Sequence, residues 1–368
     1  MVTEICTTPV GDVALSVPEL DVKSMYFTEL AESFAALSLP EYRGKQVFSW
    51  LQEKGVSSYG EMSNLPQALR GELAERFPIY HCEILKRQIS QRDETVKYLF
   101  ALHNGTGYSN NEECVESVFL RYRYGDTLCV STQIGCKMGC AFCASAKGGF
   151  VRNLRASEML GQIHAAQRDR NTRISHVVLM GMGEPLDNFD NVLRFVRLVT
   201  APGGLHIGMR NLSLSTCGIV PRIYDLLEQH LPLTLSVSLH APEEALRSRL
   251  MPINRRYPLS ELIPACRQYA QTTSRRISFE YAMIDGLNDS PAQALELAKR
   301  IRGILCHVNL IPVNPIEQSP YQPSPAKRIE VFRQTLEQHG TPCTVRRTLG
   351  SDLDASCGQL RRQVSGDS

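Results

Sequence analysis

Thr127-Leu-Cys-Val-Ser-Thr-Gln-Ile-Gly-Cys-Lys-Met-Gly-Cys-Ala-Phe-Cys143 is the stretch on which the reading of the chain turns. Residues 127–133 have the apolar and hydroxyl-rich composition of a strand. Directly after them, a glycine-containing loop spaces Cys136, Cys140 and Cys143 as C-x3-C-x2-C. Three thiolates hold three corners of an iron–sulfur cubane and leave the fourth iron open, whereas electron-transfer clusters usually take four. An open iron is what a substrate-binding cluster needs. Two other readings stand beside it: a zinc ion borrowing a distant fourth ligand, or three plain buried cysteines. Structural zinc sites normally use paired Cys or Cys/His knuckles, and the sequence has no second knuckle.

Downstream of this stretch, strand-like and helix-like segments alternate. The strands are expected at 127–133, 176–180, 212–216, 233–239, 276–283, 306–311 and 343–348, with helices at 156–169, 189–200, 219–230, 258–272, 291–303 and 325–339. Such alternation means βαβ units around a parallel sheet. About six units make an α/β fold of the incomplete-barrel kind, short of the eight of a closed one. Upstream, residues 22–95 read as helices with short breaks, Gly55 and Pro66 punctuating them. Residues 96–121 read as a linking β-hairpin around a loop containing Asn104 and Gly105.

Bulk properties narrow the class. The 368 residues allow one large domain or two ordinary ones, and 43% hydrophobic with 21% charged residues is ordinary for a soluble globular chain. A net charge of +2 means that a polyanionic partner would have to be held by local basic patches. The N-terminus has no continuous apolar core, so no secretory signal is expected, and no run approaches the roughly 18 apolar residues of a membrane span. A cytosolic chain with twelve cysteines points to metal or redox chemistry for some of them. Cys217, Cys266 and Cys306 lie in apolar runs and read as small buried hydrophobes.

Other motifs follow the ends of the strands. Gly181-Met-Gly-Glu-Pro185 follows the second, where glycine permits close approach of a ligand and Glu184 can accept from an ammonium. Leu214-Ser-Thr216 ends the third, Ser238-Leu-His240 the fourth, and Asn314 follows the sixth. Each taken singly is as well explained by a satisfied hydroxyl, a core histidine or a turn asparagine. Strand ends of a parallel barrel share one rim, however, and sites form there. Cys129 lies in the first strand and Cys357 just past the last. A buried thiol, an exposed tail cysteine or a structural disulfide would account for them equally well.

Cys129–Cys136, the cluster loop, Arg152-Asn-Leu-Arg155, Gly181–Leu186, Ser238-Leu-His-Ala-Pro242, Met251-Pro-Ile-Asn254 and Asp354-Ala-Ser-Cys-Gly-Gln-Leu360 together closely resemble the RlmN/Cfr family of radical S-adenosylmethionine RNA methyltransferases. The resemblance runs from about residue 22 to 362. It implies a partial (β/α)6 radical S-adenosylmethionine barrel at 122–350 and a small N-terminal helix-hairpin-helix-like accessory domain at 22–95. It further implies a linking hairpin at 96–121, an N-terminal extension at 1–21 and a C-terminal tail at 351–368. Ser356, where alanine is commoner, is a mild departure.

What the resemblance implies for chemistry is specific. A [4Fe–4S] cluster would sit on Cys136, Cys140 and Cys143, with S-adenosyl-L-methionine chelating the open iron and held by Gly183, Glu184, Ser215, Ser238, Leu239, His240 and Asn314. One S-adenosylmethionine would methylate Cys357. A second would yield a 5′-deoxyadenosyl radical that takes a hydrogen from that methyl. The methylene radical would add to carbon 2 of an adenine, an electron-poor centre closed to polar methyl transfer. Cys129 would then attack Cys357 and release the product through a transient disulfide. Glu116 matches the family's proton acceptor, although a solvated strand-edge carboxylate explains it nearly as well.

The implied substrate is 23S rRNA in its peptidyl-transferase region, and in some members the anticodon loop of tRNA. A small electron donor such as flavodoxin or ferredoxin, a monomeric state and a cytoplasmic location complete the expectation. Glu184-Pro185 and Leu310–Asn314 resemble the C2-methylating RlmN branch, the alternative being the C8-specific, resistance-conferring Cfr branch. Phosphate contacts could come from Arg121, Arg123, Arg152, Arg155, Arg255, Arg256, Arg346 and Arg347.

Overall fold

A computed structural model describes residues 21–103, 113–314, 320–347, 349–350 and 352–353. Three helices come first: α1 (Phe27–Ala36), α2 (Glu41–Gln52) and α3 (Gln67–Arg76). Leu30 and Phe34 of α1 and Val47, Phe48 and Leu51 of α2 are buried in the common core. The helices are tied to the rest by polar contacts, such as the Arg194–Glu29 ion pair and the hydrogen bond from Ser157 Oγ to Asp21.

The helical reading of 22–95 needs one correction. Residues His81–Ile89 form a strand, β1, paired antiparallel with β2 (Val96–His103). A bulge between Ile84 and Lys86 shifts its register. The bulge breaks the period-two alternation by which a strand is recognised, so only the partner reveals it. β2 and β3 (Cys114–Tyr122) form the expected hairpin; its Asn104-Gly105 loop lies outside the described residues.

From β4 (Gly125–Cys129) onward the sheet is parallel, and its full order is β1-β2-β3-β4-β7-β8-β9-β10-β11-β12. The later strands are β7 (His176–Leu179), β8 (Leu212–Thr216), β9 (Thr234–Ser238), β10 (Ile277–Met283), β11 (Cys306–Pro312) and β12 (Cys343–Val345). The first expected strand is shorter than read: β4 stops at Cys129. Gln133–Gly135 is a separate strand, β5, paired with β6 (Phe150–Asn153) in a small second sheet. Short α4 (Ala144–Lys147) lies between them, and the crossovers carry α5 (Ala156–Arg170), α6 (Phe189–Thr200), α7 (Val220–Glu228), α8 (Glu244–Leu250), α9 (Leu259–Thr273), α10 (Pro291–Arg300) and α11 (Ala326–Gln338).

Strand alternation separates the two faces. Val177, Leu179, Leu212, Leu214, Leu235, Val237, Phe279, Tyr281, Val308 and Leu310 are buried in the core. The intervening residues are largely polar: Ser213, Ser215, Ser236, Ser238, Ser278, Glu280 and Asn309. Ser278 Oγ and Asn309 Nδ2 both donate to the Glu280 carboxylate, at 2.7 and 2.8 Å. The register puts Cys129 on this polar face, opposite Val178, which in turn pairs with Ser213. A face that carries hydroxyls and a carboxylate where packing would favour Val or Leu is built for a polar occupant.

Candidate active site

The cysteine loop is held at both ends by backbone bonds. Cys136 N–H donates to Gly149 O at 2.8 Å, Ala141 N–H to Leu250 O at 2.9 Å, and Cys143 N–H to Cys140 O at 3.1 Å. Gly135 has φ +75°, and a Cβ there would fall on the Gly149 carbonyl, so glycine is required where β5 turns into the loop. Cys136, Cys140 and Phe142 pack against an apolar cluster that includes Met138, Leu250 and Met251. Burial, then the charges of Cys143 and Glu184, pushes the Cys136 thiol up to about 12; burial, then Cys143 and Cys136, raises Cys140 further. Thiols that raise one another in this way are neighbours needing a cationic partner to ionise. Among the described residues no three metal-binding side chains are gathered as tightly as a single ion needs. A cubane instead takes its thiolates at separate corners, and the loop fits that donor set.

Beside the loop, Glu184 is buried with both oxygens engaged. Leu186 N–H donates to Oε1 at 3.1 Å and Cys217 N–H to Oε2 at 2.8 Å. Burial still raises its carboxyl above the usual range against these bonds. The Thr216 hydroxyl and the Cys217 thiol donate to it as well, so its roughly four lone-pair sites are engaged and an ammonium would displace one of these donors. Gly183 packs against the side chain of Gln133, whose Oε1 accepts from Glu184 N–H at 2.8 Å.

His240 sits just past β9 with a left-handed backbone, φ +58°. Its Nδ1 accepts the Ala282 N–H at 2.9 Å, so the ring proton is on Nε2. Burial, then Arg247, lowers its pKa to about 3, keeping the imidazole neutral. The ring meets Phe142 of the cysteine loop edge-on, with centroids 4.7 Å apart. Arg247 itself is fully buried and donates to Cys217 O, Ser238 O, Leu239 O and Asn254 Oδ1. It therefore fastens the carbonyl ends of two strands, and Asn254 holds it there.

A cavity of about 300 Å³ opens among these parts, lined by Cys129, Cys143, Gly181, His240 and Asn314. Lys97, Arg346 and Arg347 line it too, so side chains from both ends of the strand order share one space. The sheet must curl for that to happen.

Comparison with known proteins bears on what this arrangement belongs to. The model of the radical SAM superfamily matches residues 130–298, and that of the ribosomal RNA large subunit methyltransferase N-terminal domain matches 20–79. A probable dual-specificity RNA methyltransferase RlmN of Desulforamulus reducens is 47% identical over 345 residues, 94% of this chain and 97% of its own. The chain belongs to the RlmN family. A relative of the same name from Pelotomaculum thermopropionicum is 48% identical, over 94% of this chain and 92% of its own. The crystal structure of a radical SAM methyltransferase from Sphaerobacter thermophilus matches with a TM-score of 0.86 at 42% identity, covering 92% of this chain and 98% of that one. The partial barrel with an N-terminal helical region is thus the radical SAM fold read from the sequence.

Set against this RlmN-family fold, the expected site residues are spread unevenly about the cavity, with Cys136 and Cys140 behind it against the Met138 and Leu250 cluster. Cys129, Cys143, His240 and Asn314 face the shared cavity. Gly183, Glu184, Ser215, Ser238 and Leu239 lie at the strand ends around it but outside its lining. Cys357 lies outside the described residues. Glu116 is no solvated edge carboxylate: it is fully enclosed on β3, its Oε2 3.2 Å from Lys97 Nζ. Of the expected phosphate ligands, Arg121 is paired with Glu94 and Asp126, and Arg152 with Glu113 and Glu158.

Three neighbours carry no signal in the sequence. Lys97 looks like any strand lysine, and Arg247 like any helix arginine. Cys217 is buried as expected, yet its backbone and thiol both bond Glu184.

Proposed function

We propose that this RlmN-family chain methylates carbon 2 of an adenine in 23S rRNA and of one in tRNA, consuming two S-adenosylmethionine molecules per turnover. The observation that carries the reading is that Cys129 faces the same cavity as Cys143 of the cluster loop and His240. A thiol so placed, outside the cluster motif, is superfluous for cofactor cleavage but needed to release a product from a second cysteine. "Dual-specificity" in the relatives' names supports the two RNA substrates.

Cys136, Cys140 and Cys143 would hold the [4Fe–4S] cluster, and Gly183, Glu184, Ser215, Ser238, Leu239, His240 and Asn314 the S-adenosylmethionine. When bound and reduced, these groups supply a 5′-deoxyadenosyl radical. His240, neutral and with its proton on Nε2, offers a donor at the rim; Glu184 offers an acceptor for the amino group of the methionine moiety. Cys357 carries the methyl group in the tail 351–368, and Glu116 takes the proton lost from carbon 2. Cys129 attacks the Cys357 sulfur, forming a disulfide as the bond from sulfur to the transferred carbon breaks. The target base must leave its stack to enter such a cavity, which favours an unpaired adenine.

We further place the chain in the cytoplasm as a monomer reduced by a flavodoxin or ferredoxin. No helix among the described residues is long and apolar enough to cross a membrane. The test is mass spectrometry of adenosines from rRNA and tRNA of cells lacking their own enzyme, with and without this chain. 2-Methyladenosine in both RNAs is expected, and 8-methyladenosine alone would overturn the reading.

A further inference from the structure

The start of the tail and Gly350 just before it are docked on the turn between β1 and β2. Ser90 Oγ donates to Asp352 Oδ1 at 2.7 Å, and Gln91 N–H donates to Oδ2 at 2.6 Å. In the opposite sense, Gly350 N–H donates to Asp93 Oδ2 at 2.9 Å. Leu353 N–H closes a tight turn onto Gly350 O at 3.0 Å. Gly350 has φ +61°, and a Cβ there would meet Thr95 Cγ2 at 2.9 Å, so the turn sits directly on the β1–β2 connection. The Ser90 hydroxyl and the Gln91 amide hold the Asp352 carboxyl below its usual range. Hydrogen bonds to a carboxylate are stronger than neutral ones. Leu349, Leu353 and Thr95 also line the cavity that Cys129 faces.

We propose that this turn is a clamp fixing the origin of the reactive tail, with Ser90, Asp93 and Asp352 as positioning residues for Cys357. The inference rests on the reading of Cys357 as the methyl carrier. Cys357 lies four residues beyond Leu353 in the chain, a span of at most about 14 Å. The preceding strand residue is Val345 of β12, twelve residues away. For a random coil, taken only as a yardstick of chain length, the root-mean-square reach is about 19 Å over twelve residues and about 11 Å over four. Effective concentration falls as roughly the −3/2 power of tether length, so the clamp raises the encounter of Cys357 with Cys129 about fivefold. The step served is balanced: the Cys129 thiolate forms the S–S bond, the C–S electron pair leaves with the transferred carbon, and that carbon takes a proton. An external dithiol then reduces the disulfide.

The test times disulfide closure directly. Cluster-loaded full-length protein is exposed anaerobically to glutathione disulfide, quenched by alkylation, and its Cys129–Cys357 peptide quantified. The Ser90→Ala/Asp93→Ala/Asp352→Asn variant, which removes every side-chain bond of the clamp, is expected to close about fivefold more slowly, with RNA methylated per 5′-deoxyadenosine falling in step. A second variant keeps the clamp but carries a four-residue Gly/Ser insertion after Asp354; doubling the free tether should slow closure about threefold. Wild-type closure rates in both would overturn the clamp. Retained methylation in Cys357→Ala is a different failure: it would overturn the methyl-carrier reading, and the clamp with it.

Discussion

Lys97 and Glu116 form an ion pair with no accessible side-chain surface on either partner. Taking both charges out of water costs more than an apolar pair would, so the pair is weak grounds for stability and stronger grounds for a role at the cavity. Lys97→Met leaves the carboxylate without this ion and should destabilise the protein by about 3–5 kcal/mol in urea titration. Lys97→Met/Glu116→Leu removes both charges and should recover most of that loss while RNA methylation stays abolished. Full methylation by the double variant would show the pair to be structural. The same contrast explains what the sequence discloses at this scale. Cys136, Cys140 and Cys143 are legible because their chemistry is written in local spacing. Arg247 is not, because its four acceptors are carbonyl and amide oxygens from three separate places in the chain, brought together only by folding.

The elements were legible wherever one period ran unbroken. β8, for instance, alternates in burial from Leu212 to Thr216 and falls on its expected residues. β1 is hidden because its bulge resets the alternation, and β4 reads as longer than it is because Val130–Thr132 remain buried beyond the ladder. Contacts between elements are a further layer that no period encodes. His164 of α5 is fully buried, and its Nε2 lies 2.9 Å from Gln52 O at the end of α2. Burial, then the charge of Lys23, keeps its pKa well below 6.5. The unfolded chain therefore binds a proton that the folded one refuses, and stability must fall as pH drops below about 6.5. Each such histidine contributes a slope of about 1.4 kcal/mol per pH unit. His164→Gln should lose that share of the slope between pH 6 and 4 in urea titrations at stepped pH, while His240 keeps its own. An unchanged slope would mean that His164 accepts a proton in place.

Over the whole molecule, the cavity depends on a curl that joins strands remote in the sheet order, with Lys97 of β2 and Arg346 beyond β12 lining one space. Neither composition nor a net charge of +2 indicates where a polyanion would be held. Eight arginines stood as equal candidates in the sequence, and folding separates them. Arg121 and Arg152 have carboxylate partners, whereas Arg346 and Arg347 line the cavity proposed above to receive the target base. A phosphate contact releases counterions, so its loss lowers both affinity and salt dependence. Arg346→Gln and Arg347→Gln should each weaken binding of an RNA hairpin bearing the target adenine and reduce the slope of log K against log salt by about one. Arg121→Gln should leave that slope unchanged, since Glu94 and Asp126 already take its charge. If instead Arg121→Gln flattened the slope and the other two did not, the RNA would have to lie on the outer face of the β3–β4 hairpin, away from the cavity mouth.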